Sequence, residues 1–149
     1  MKKLKLVIFE GPDQSGKTTL YGLFRQATRW GPLAIVRFIG SNWVYDTLYK
    51  RSQREPMMPR YERADHELAR VFDVYLVYCR PSVAVLKKRC FNSGHDLGDW
   101  EIEKACKLFD QYVAEGTYTK KKLILDTEQD PTICLNRILD WLKLTPEEL

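Results

Sequence analysis

The sequence predicts an α/β domain in which a short, mostly parallel β-sheet lies between two layers of helices. The first observation is length, since 149 residues, of which 44% are hydrophobic, are enough for one domain with its own core. The second is the sequence of segments along the chain, in which short apolar runs alternate with longer amphipathic segments. Strands that alternate with helices pair in parallel and are covered on both faces. We therefore expect a single three-layer domain over residues 1–149.

Four apolar runs, rich in β-branched residues, predict the strands. The first, KLVIF, leads directly into a glycine-bearing loop, and the second follows a break at Trp30-Gly31-Pro32. The third ends before Arg80-Pro81. The predicted strands span residues 5–9, 33–39, 72–79 and 123–125.

Six segments with apolar residues at helical spacing predict the helices. Ser41 and Ser82 are candidate N-caps for the second and the fourth. Two prolines within residues 55–60 predict a loop before the third. The predicted helices span residues 19–28, 41–54, 61–71, 82–90, 99–114 and 131–142.

Composition and charge exclude several classes of protein. No apolar run approaches the roughly 20 residues of a membrane-spanning helix, and the apolar stretch after the basic N-terminus is too short for a signal peptide. The four cysteines are widely spaced and form no CxxC pair, which is typical of reduced thiols. The net charge of +4 is compatible with a polyanionic partner. These features predict a cytoplasmic protein without a membrane partner.

The loop between the first strand and the first helix carries the most specific motif. Residues 11–18, GPDQSGKT, match G-x-x-x-x-G-K-[ST] in the strand–loop–helix context that the motif requires. Gly11 and Gly16 permit backbone conformations that direct consecutive amides at phosphate oxygens, and the helix N-terminus adds partial positive charge. We expect Lys17 at the β- and γ-phosphates and the Thr18 hydroxyl at Mg²⁺.

This motif predicts a nucleoside triphosphate site and, with the alternating elements, the P-loop NTPase fold. The residues expected to contact the nucleotide in this loop are Gly11, Pro12, Asp13, Gln14, Ser15, Gly16, Lys17, Thr18 and Thr19.

The chain resembles thymidylate kinases around this loop and beyond it. FEGPDQSGKTT is similar to that family's FEG-x-D-G-x-G-K-T-T, and residues 72–89 are similar to the segment in which an Asp opens a strand and an Arg ends the next helix. Residues 112–131 resemble the family's closing helix, last strand and adenine-contacting loop, where Gln129 is expected. The resemblance implies ATP and Mg²⁺ as cofactors and γ-phosphoryl transfer to a thymidine-like acceptor.

Two departures from that family concern the metal and the acceptor. Where the family's strand ends in Asp-Arg, this chain has Val36-Arg37, so Glu10 or Asp13 is left as the outer-shell carboxylate for Mg²⁺, unless the metal is held differently. The chain also lacks the strand and helix that the family places before this strand. Those elements wall the acceptor, and here only four residues separate Thr28 from Leu33. Because transfer depends on positioning, the missing wall predicts an acceptor that is not enclosed.

The favoured acceptor is the 5-hydroxymethyl group of 5-hydroxymethyluracil in DNA. The chain is similar in motif and compactness to a bacteriophage branch of thymidylate-kinase-like proteins that phosphorylates this group, a step in thymine hypermodification. That similarity implies a location in the host cytoplasm. A kinase for a free deoxynucleoside or its monophosphate, with a homo-oligomer partner completing the wall, is the alternative. A non-catalytic nucleotide-binding module is a third class.

Five residues form the predicted catalytic group. Asp13 is expected either to face the acceptor as general base or orienting group, or to cap loop amides, and Glu10 is its rival. The resemblance places Arg89 at the transferring phosphate, where a planar cation spreads negative charge. The group consists of Lys17, Asp13, Arg89, Arg37 and Glu10.

A basic stretch with interleaved aromatics, residues 50–63, is the predicted acceptor surface. Cations suit DNA phosphates and aromatics suit an extruded base, whereas the alternative is a solvated helix face with aromatics in the core. Residues 92–98, with His95 and Asp96, are where a mobile lid is expected. The predicted acceptor residues are Arg37, Trp43, Tyr45, Lys50, Arg51, Arg54, Arg60 and Arg63.

Overall fold

The computed structural model describes residues 2–50, 57–95 and 97–148. In this part of the chain a parallel sheet in the order β2-β1-β3-β4 carries helices on both faces, which confirms the predicted fold class. The strands are β1 Lys5–Glu10, β2 Leu33–Val36, β3 Asp73–Cys79 and β4 Lys121–Leu125. The helices are α1 Lys17–Ala27, α2 Ile39–Tyr49, α3 Met57–Val71, α4 Val83–Asn92, α5 Asp99–Gln111 and α6 Pro131–Leu142. None of the described helices is long and apolar enough to cross a bilayer.

The side chains of β1 alternate between two hydrophobic clusters, one on each face of the sheet. Leu6 and Ile8 pack with residues of α2 and α5, whereas Val7 and Phe9 pack with residues of α1 and α6. This alternation is the period of two that a strand imposes on its side chains. A run that is apolar at every position is therefore buried on both faces, as in other parallel sheets.

The parallel register brings the carboxyl ends of the four described strands to one edge. Phe9 of β1 is level with Val36 of β2, and Cys79 of β3 is level with Leu125 of β4. The loops that leave these strand ends are therefore neighbours. In open α/β sheets this edge is where ligands bind.

The connection between α1 and β2 is short and held in place. Residues 28–32, all described, contain neither a strand nor a helix, so β2 follows α1 directly and pairs with β1. The Arg25 guanidinium donates to the carbonyls of Pro32 and Ala34, at 2.7 Å each, and lies over the Trp30 ring. The additional strand and helix of the thymidylate kinases are absent from this connection.

The end of β2 differs from the prediction. The strand stops at Val36 rather than at residue 39 because Arg37 adopts a left-handed φ of 62°, and α2 begins at Ile39. Ser41 therefore lies inside α2 and does not cap it. The helix ends at Tyr49, before a left-handed Lys50, whereas the predicted helix ran to residue 54. Residues 51–56 lie outside the described part of the chain.

Other boundaries shift by less than two turns, and one predicted cap is present. Residues 57–60, predicted as a loop, form the first turn of α3, where Pro59 is tolerated because the first amides of a helix have no helical acceptor. Helix α5 ends at Gln111 and continues as a π-helical turn, Tyr112–Gly116. The predicted cap of α4 is confirmed, since Ser82 Oγ accepts a hydrogen bond from the Val85 amide at 3.2 Å.

Helix α2 is fixed to the sheet by the buried side chain of Glu10, the last residue of β1. Its Oε2 accepts a hydrogen bond from the Ser41 amide at 2.7 Å, and its Oε1 accepts one from the Ser41 hydroxyl at 2.5 Å. Gly40 makes this approach possible, because a Cβ there would lie 2.5 Å from Glu10 Oε2 and 2.7 Å from Tyr112 Cε2. The first turn of α2 therefore requires glycine at this position.

Gly40→Ala is expected to lower the free energy of unfolding by about 1–3 kcal/mol, because the new methyl group overpacks the contact between Glu10 and Tyr112. Gly22→Ala, in α1, is the matched control. No atom lies within 4 Å of a Cβ at Gly22, so alanine is expected to stabilise the helix by about 0.5–1 kcal/mol. Urea unfolding of both variants measures the difference, and equal effects would contradict this account of α2.

Candidate active site

The loop between β1 and α1 has a backbone conformation that requires glycine at Gly11 and Gly16. Gly11 has a φ of +155°, and a Cβ there would lie 2.5 Å from the Cys79 carbonyl oxygen. Gly16 has a φ of +89° at the N-cap of α1, and Gln14 between them is also left-handed, with a φ of 66°. The sequence motif thus corresponds to a tight loop that lies against the end of β3. Such left-handed turns form anion-binding concavities.

Lys17 is folded back onto this loop. Its Nζ donates to the carbonyls of Gly11 at 2.7 Å and Pro12 at 2.9 Å, and the residue is only 2% exposed. Burial, reinforced by the positive charge of Arg37, lowers the pKa of Lys17 to about 8. The ammonium group is therefore held at the loop by acceptors that bound phosphate oxygens can replace.

The loop has the donors that a phosphate needs. Ser15 is fully buried, and its Oγ has no hydrogen-bond partner among the described residues. A buried polar atom of this kind is ordinarily satisfied, so it indicates a ligand. Thr18 lies exposed in the first turn of α1, where its hydroxyl is available to Mg²⁺, a cation that prefers oxygen ligands. These residues fit a triphosphate with its metal.

A cavity of about 650 Å³ extends along the phosphate loop. One end is formed by Asp13, Arg37 and His95, and the other includes Gln129, the residue predicted at the adenine ring, together with Pro131. Three cationic side chains from different elements line it, Lys17, Arg37 and Arg89. The volume is in the range of ordinary ligand pockets.

Asp13 is the centre of one end of this cavity. Its Oδ1 accepts a hydrogen bond from Arg37 Nη2 at 2.7 Å, and its Oδ2 lies 3.6 Å from His95 Nε2. Its backbone amide donates to the hydroxyl of Tyr45, on α2, at 3.0 Å. The side chain is 18% exposed. Asp13 thus joins the phosphate loop to three other parts of the fold and still faces the cavity.

Arg37 and Arg89 reach the phosphate loop from two different elements, the end of a strand and a helix. Arg37 follows β2, its amide donates to the Phe9 carbonyl, and its left-handed backbone turns the side chain toward Asp13. Arg89, near the end of α4, donates to the carbonyls of Gln14 at 3.1 Å and Thr127 at 2.7 Å. Both cations therefore stand beside the phosphate loop.

Glu10 lies next to the loop but is turned toward α2. It is 1% exposed, and both its oxygens accept hydrogen bonds from Ser41. Burial raises the pKa of Glu10, while the Ser41 hydrogen bonds and the charge of Lys17 act in the opposite direction. The structure gives this carboxylate a structural contact and does not place it among the residues that line the cavity.

The residues predicted for the acceptor surface fall into three groups. Trp43 and Tyr45 are buried in the α2–α5 face, at 5% and 8% exposure, because they pack against Tyr112 and Phe109. They offer no surface for stacking on a base, which corrects that prediction. Lys50, Arg60 and Arg63 are exposed. Arg51 and Arg54 lie outside the described residues.

Thr127, which no motif assigns to the site, contacts it, and so does His95, which the sequence predicts only as part of the lid segment 92–98. Thr127 Oγ1 donates to the Ser15 carbonyl, and the Thr127 carbonyl accepts from Arg89. His95 lies beside Asp13. The position of Thr127 directly after β4 is a sequence signal, because loops at the carboxyl ends of parallel strands meet at the ligand edge. The position of His95 depends on how α4 ends, which the motifs do not reveal.

Comparison with known proteins identifies the fold class. No family model matches the chain, and no curated protein sequence matches it. Among solved structures, the YorR protein of Bacillus subtilis in complex with phosphorylated GDP is similar, with a TM-score of 0.73 and 19% identity over 93% of this chain and 96% of that one. A deoxyadenosine kinase from M. mycoides with bound dATP has a TM-score of 0.65 and 15% identity over 95% and 100% of the two chains.

A shikimate kinase from Bacteroides thetaiotaomicron is also similar, with a TM-score of 0.52 and 14% identity over 95% of this chain and 99% of that one. The chain therefore has the fold of P-loop kinases that act on nucleosides and other small molecules. At these identities the likeness concerns the fold. The resemblance to thymidylate kinases stays a prediction from sequence.

Nucleotide binding is expected to take up a proton, because a bound phosphate favours the charged form of Lys17. With a pKa of about 8 in the free protein, Lys17 is mostly neutral at about pH 9, so close to one proton is taken up there and about a quarter of one at about pH 7.5. Affinity for ATP should fall correspondingly above pH 8. Calorimetry in buffers of different ionisation enthalpy measures the uptake.

In Lys17→Met, any nucleotide binding that remains should occur without proton uptake. Lys88 is an exposed lysine of α4, so Lys88→Met should leave the proton uptake unchanged. Equal proton uptake at both pH values would contradict the assignment of Lys17.

Proposed function

We propose that this protein is an ATP-dependent kinase that transfers the γ-phosphoryl group to the hydroxyl group of a thymidine-like acceptor. The observation that carries the proposal is the convergence, around one cavity, of a phosphate loop, three cationic side chains and one partly exposed carboxylate. Phosphoryl transfer needs positioning and neutralisation of charge more than covalent chemistry. This set of groups supplies both.

We assign the three cationic side chains, Lys17, Arg89 and Arg37, to different parts of the bound phosphate chain. Lys17, the first residue of α1, donates to a loop carbonyl and would neutralise the β- and γ-phosphates, while Arg89 donates to the carbonyls of Gln14 and Thr127. Arg37 pairs with Asp13 and would neutralise charge on the acceptor side of the transferred group. Thr18 would hold Mg²⁺, which would neutralise phosphate charge once the nucleotide is bound.

Asp13 is the carboxylate that faces the acceptor. Arg37 holds its Oδ1, which leaves Oδ2 directed at the cavity to accept the proton of an acceptor hydroxyl. Glu10 is a weaker candidate for this role because Ser41 occupies both its oxygens. We assign Glu10 to the positioning of α2, and thereby of the Tyr45 hydroxyl that receives the Asp13 amide.

Two isosteric variants separate these roles. Asp13→Asn is expected to lower kcat by about 10²–10³ with little change in the KM for ATP, because it removes the proton acceptor and keeps the shape of the side chain. Glu10→Gln is expected to lower the free energy of unfolding by about 1–3 kcal/mol, because an amide cannot accept both Ser41 hydrogen bonds. Its kcat should fall far less. Loss of turnover in Glu10→Gln without loss of stability would identify Glu10 as the base instead.

We propose a DNA-bound acceptor, the 5-hydroxymethyl group of 5-hydroxymethyluracil, as in the thymine hypermodification of bacteriophage DNA. Two observations support this proposal: residues 28–32, between α1 and β2, add no strand or helix that could wall the acceptor, and Arg37 has 54% of its side chain exposed. Exposed cations at Lys50, Arg60 and Arg63 are available to DNA phosphates.

A free deoxynucleoside or its monophosphate is the second candidate. The similarity in fold to a deoxyadenosine kinase, along the whole of that chain, favours it. In this case a second copy of the chain would complete the wall, so activity should depend on oligomeric state.

Transfer from labelled ATP to a panel of acceptors tests the proposal. The panel contains a duplex with 5-hydroxymethyluracil, the same duplex with thymine, free hydroxymethyl-dUMP, dTMP and deoxyadenosine. We expect label only in the duplex with 5-hydroxymethyluracil. Binding of the protein to that duplex should weaken steeply as the salt concentration rises from about 50 to 200 mM. Lys17→Ala should lower transfer by roughly 10³, and Lys88→Ala should not.

Label in a free nucleotide or nucleoside alone would establish the second candidate. ATP binding without transfer to any acceptor would contradict the kinase and leave a nucleotide-binding module.

A further inference from the structure

The carboxylate of Asp13 faces nitrogen groups from two other elements, and only one of them is within hydrogen-bond distance. Arg37 Nη2 donates to Oδ1 at 2.7 Å, while His95 Nε2 lies 3.6 Å from Oδ2. An N–H···O hydrogen bond is about 2.7–3.2 Å long, so the second separation exceeds it. An oxygen atom about 2.8 Å from both Nε2 and Oδ2 would close a triangle on that side. A hydroxyl oxygen beside this pair, on the cavity side, could therefore contact both atoms at once.

His95 is held in this position by the way helix α4 ends. Gly94 has a left-handed φ of +69°, its amide donates to the Phe91 carbonyl, and the His95 amide donates to the Cys90 carbonyl at 2.9 Å. This pair of hydrogen bonds is a Schellman-type helix end, which fixes the backbone of the two residues after the helix. The same helix carries Arg89, so His95 and the Arg89 contacts with the phosphate loop belong to one rigid unit.

We propose that His95 is a positioning residue that directs the acceptor hydroxyl at Asp13; this inference rests on the proposed kinase function. His95 donates its Nε2–H to one lone pair of the acceptor oxygen, whose own proton points at Asp13 Oδ2. During transfer the O–H bond breaks and its proton passes to Oδ2. The acceptor oxygen bonds to the γ-phosphorus, and the bond from that phosphorus to the bridging oxygen breaks, its electron pair leaving with ADP.

The surroundings of His95 leave one acceptor for the hydroxyl proton. The charged side chains that line the cavity with His95 are Asp13 of the phosphate loop, Lys17 of α1, Arg37 after β2 and Arg89 of α4. Asp13 is the acidic residue in this described set, and Arg37 already donates to its Oδ1. A hydroxyl held by His95 therefore has Oδ2 as its proton acceptor.

The test is the kcat and the KM for ATP of the wild type, His95→Ala and His95→Gln. The alanine variant is expected to lose about tenfold in kcat, the effect of one hydrogen bond, with little change in the KM for ATP. Glutamine restores a donor at the same place, so it should recover most of that loss. His66→Gln is the matched control, because His66 lies exposed on α3 against Tyr118.

The same constants are measured for the slow hydrolysis of ATP, in which water replaces the acceptor, so that the role of His95 is tested without a known acceptor. An unchanged kcat in His95→Ala, or no recovery of kcat in His95→Gln, would overturn the role of His95 while the kinase stands. Absence of both transfer and hydrolysis in the wild type would overturn the proposed function itself and this inference with it.

Discussion

The site depends on one buried carboxylate that makes no contact with the cavity. Glu10 ends the first strand, immediately before the phosphate loop, and accepts two hydrogen bonds from Ser41 at the beginning of α2. Burial of this charge is unfavourable and raises the pKa of Glu10, and the hydrogen bonds from Ser41 and the nearby charge of Lys17 offset that effect only in part. Because α2 carries Tyr45, whose hydroxyl receives the Asp13 amide, the same contact fixes the acceptor end of the site.

The cations at the phosphate loop donate hydrogen bonds to backbone carbonyls. Lys17 donates to those of Gly11 and Pro12, and Arg89 donates to that of Gln14 in the loop and to that of Thr127 after β4. A phosphate oxygen carries negative charge and is therefore a stronger acceptor for these cations than a neutral carbonyl. Binding of a triphosphate would exchange hydrogen bonds to carbonyls for hydrogen bonds to charged oxygens.

Much of the fold can be predicted from local sequence, because the strands are buried on both faces and the loop motif has strict requirements at Gly11 and Gly16. What the sequence did not predict depends on contacts between distant segments. Trp43 and Tyr45 have the composition of a stacking surface, and only the packing of α2 on α5 shows that they belong to the core. The early start of α2 follows from the left-handed Arg37 and from Gly40 against Tyr112. His95 meets Asp13 because of the Gly94 turn, which no spacing rule connects to the phosphate loop.

The central claim is that the cavity transfers phosphate from ATP to an alcohol, and ³¹P NMR of the reaction mixture tests it most directly. With a duplex that contains 5-hydroxymethyluracil, the account predicts that a phosphomonoester signal grows at the rate at which ADP forms, in equal amount, and that Asp13→Asn slows both signals together. Formation of ADP with inorganic phosphate alone, at a rate that no nucleoside, nucleotide or DNA acceptor changes, would contradict it.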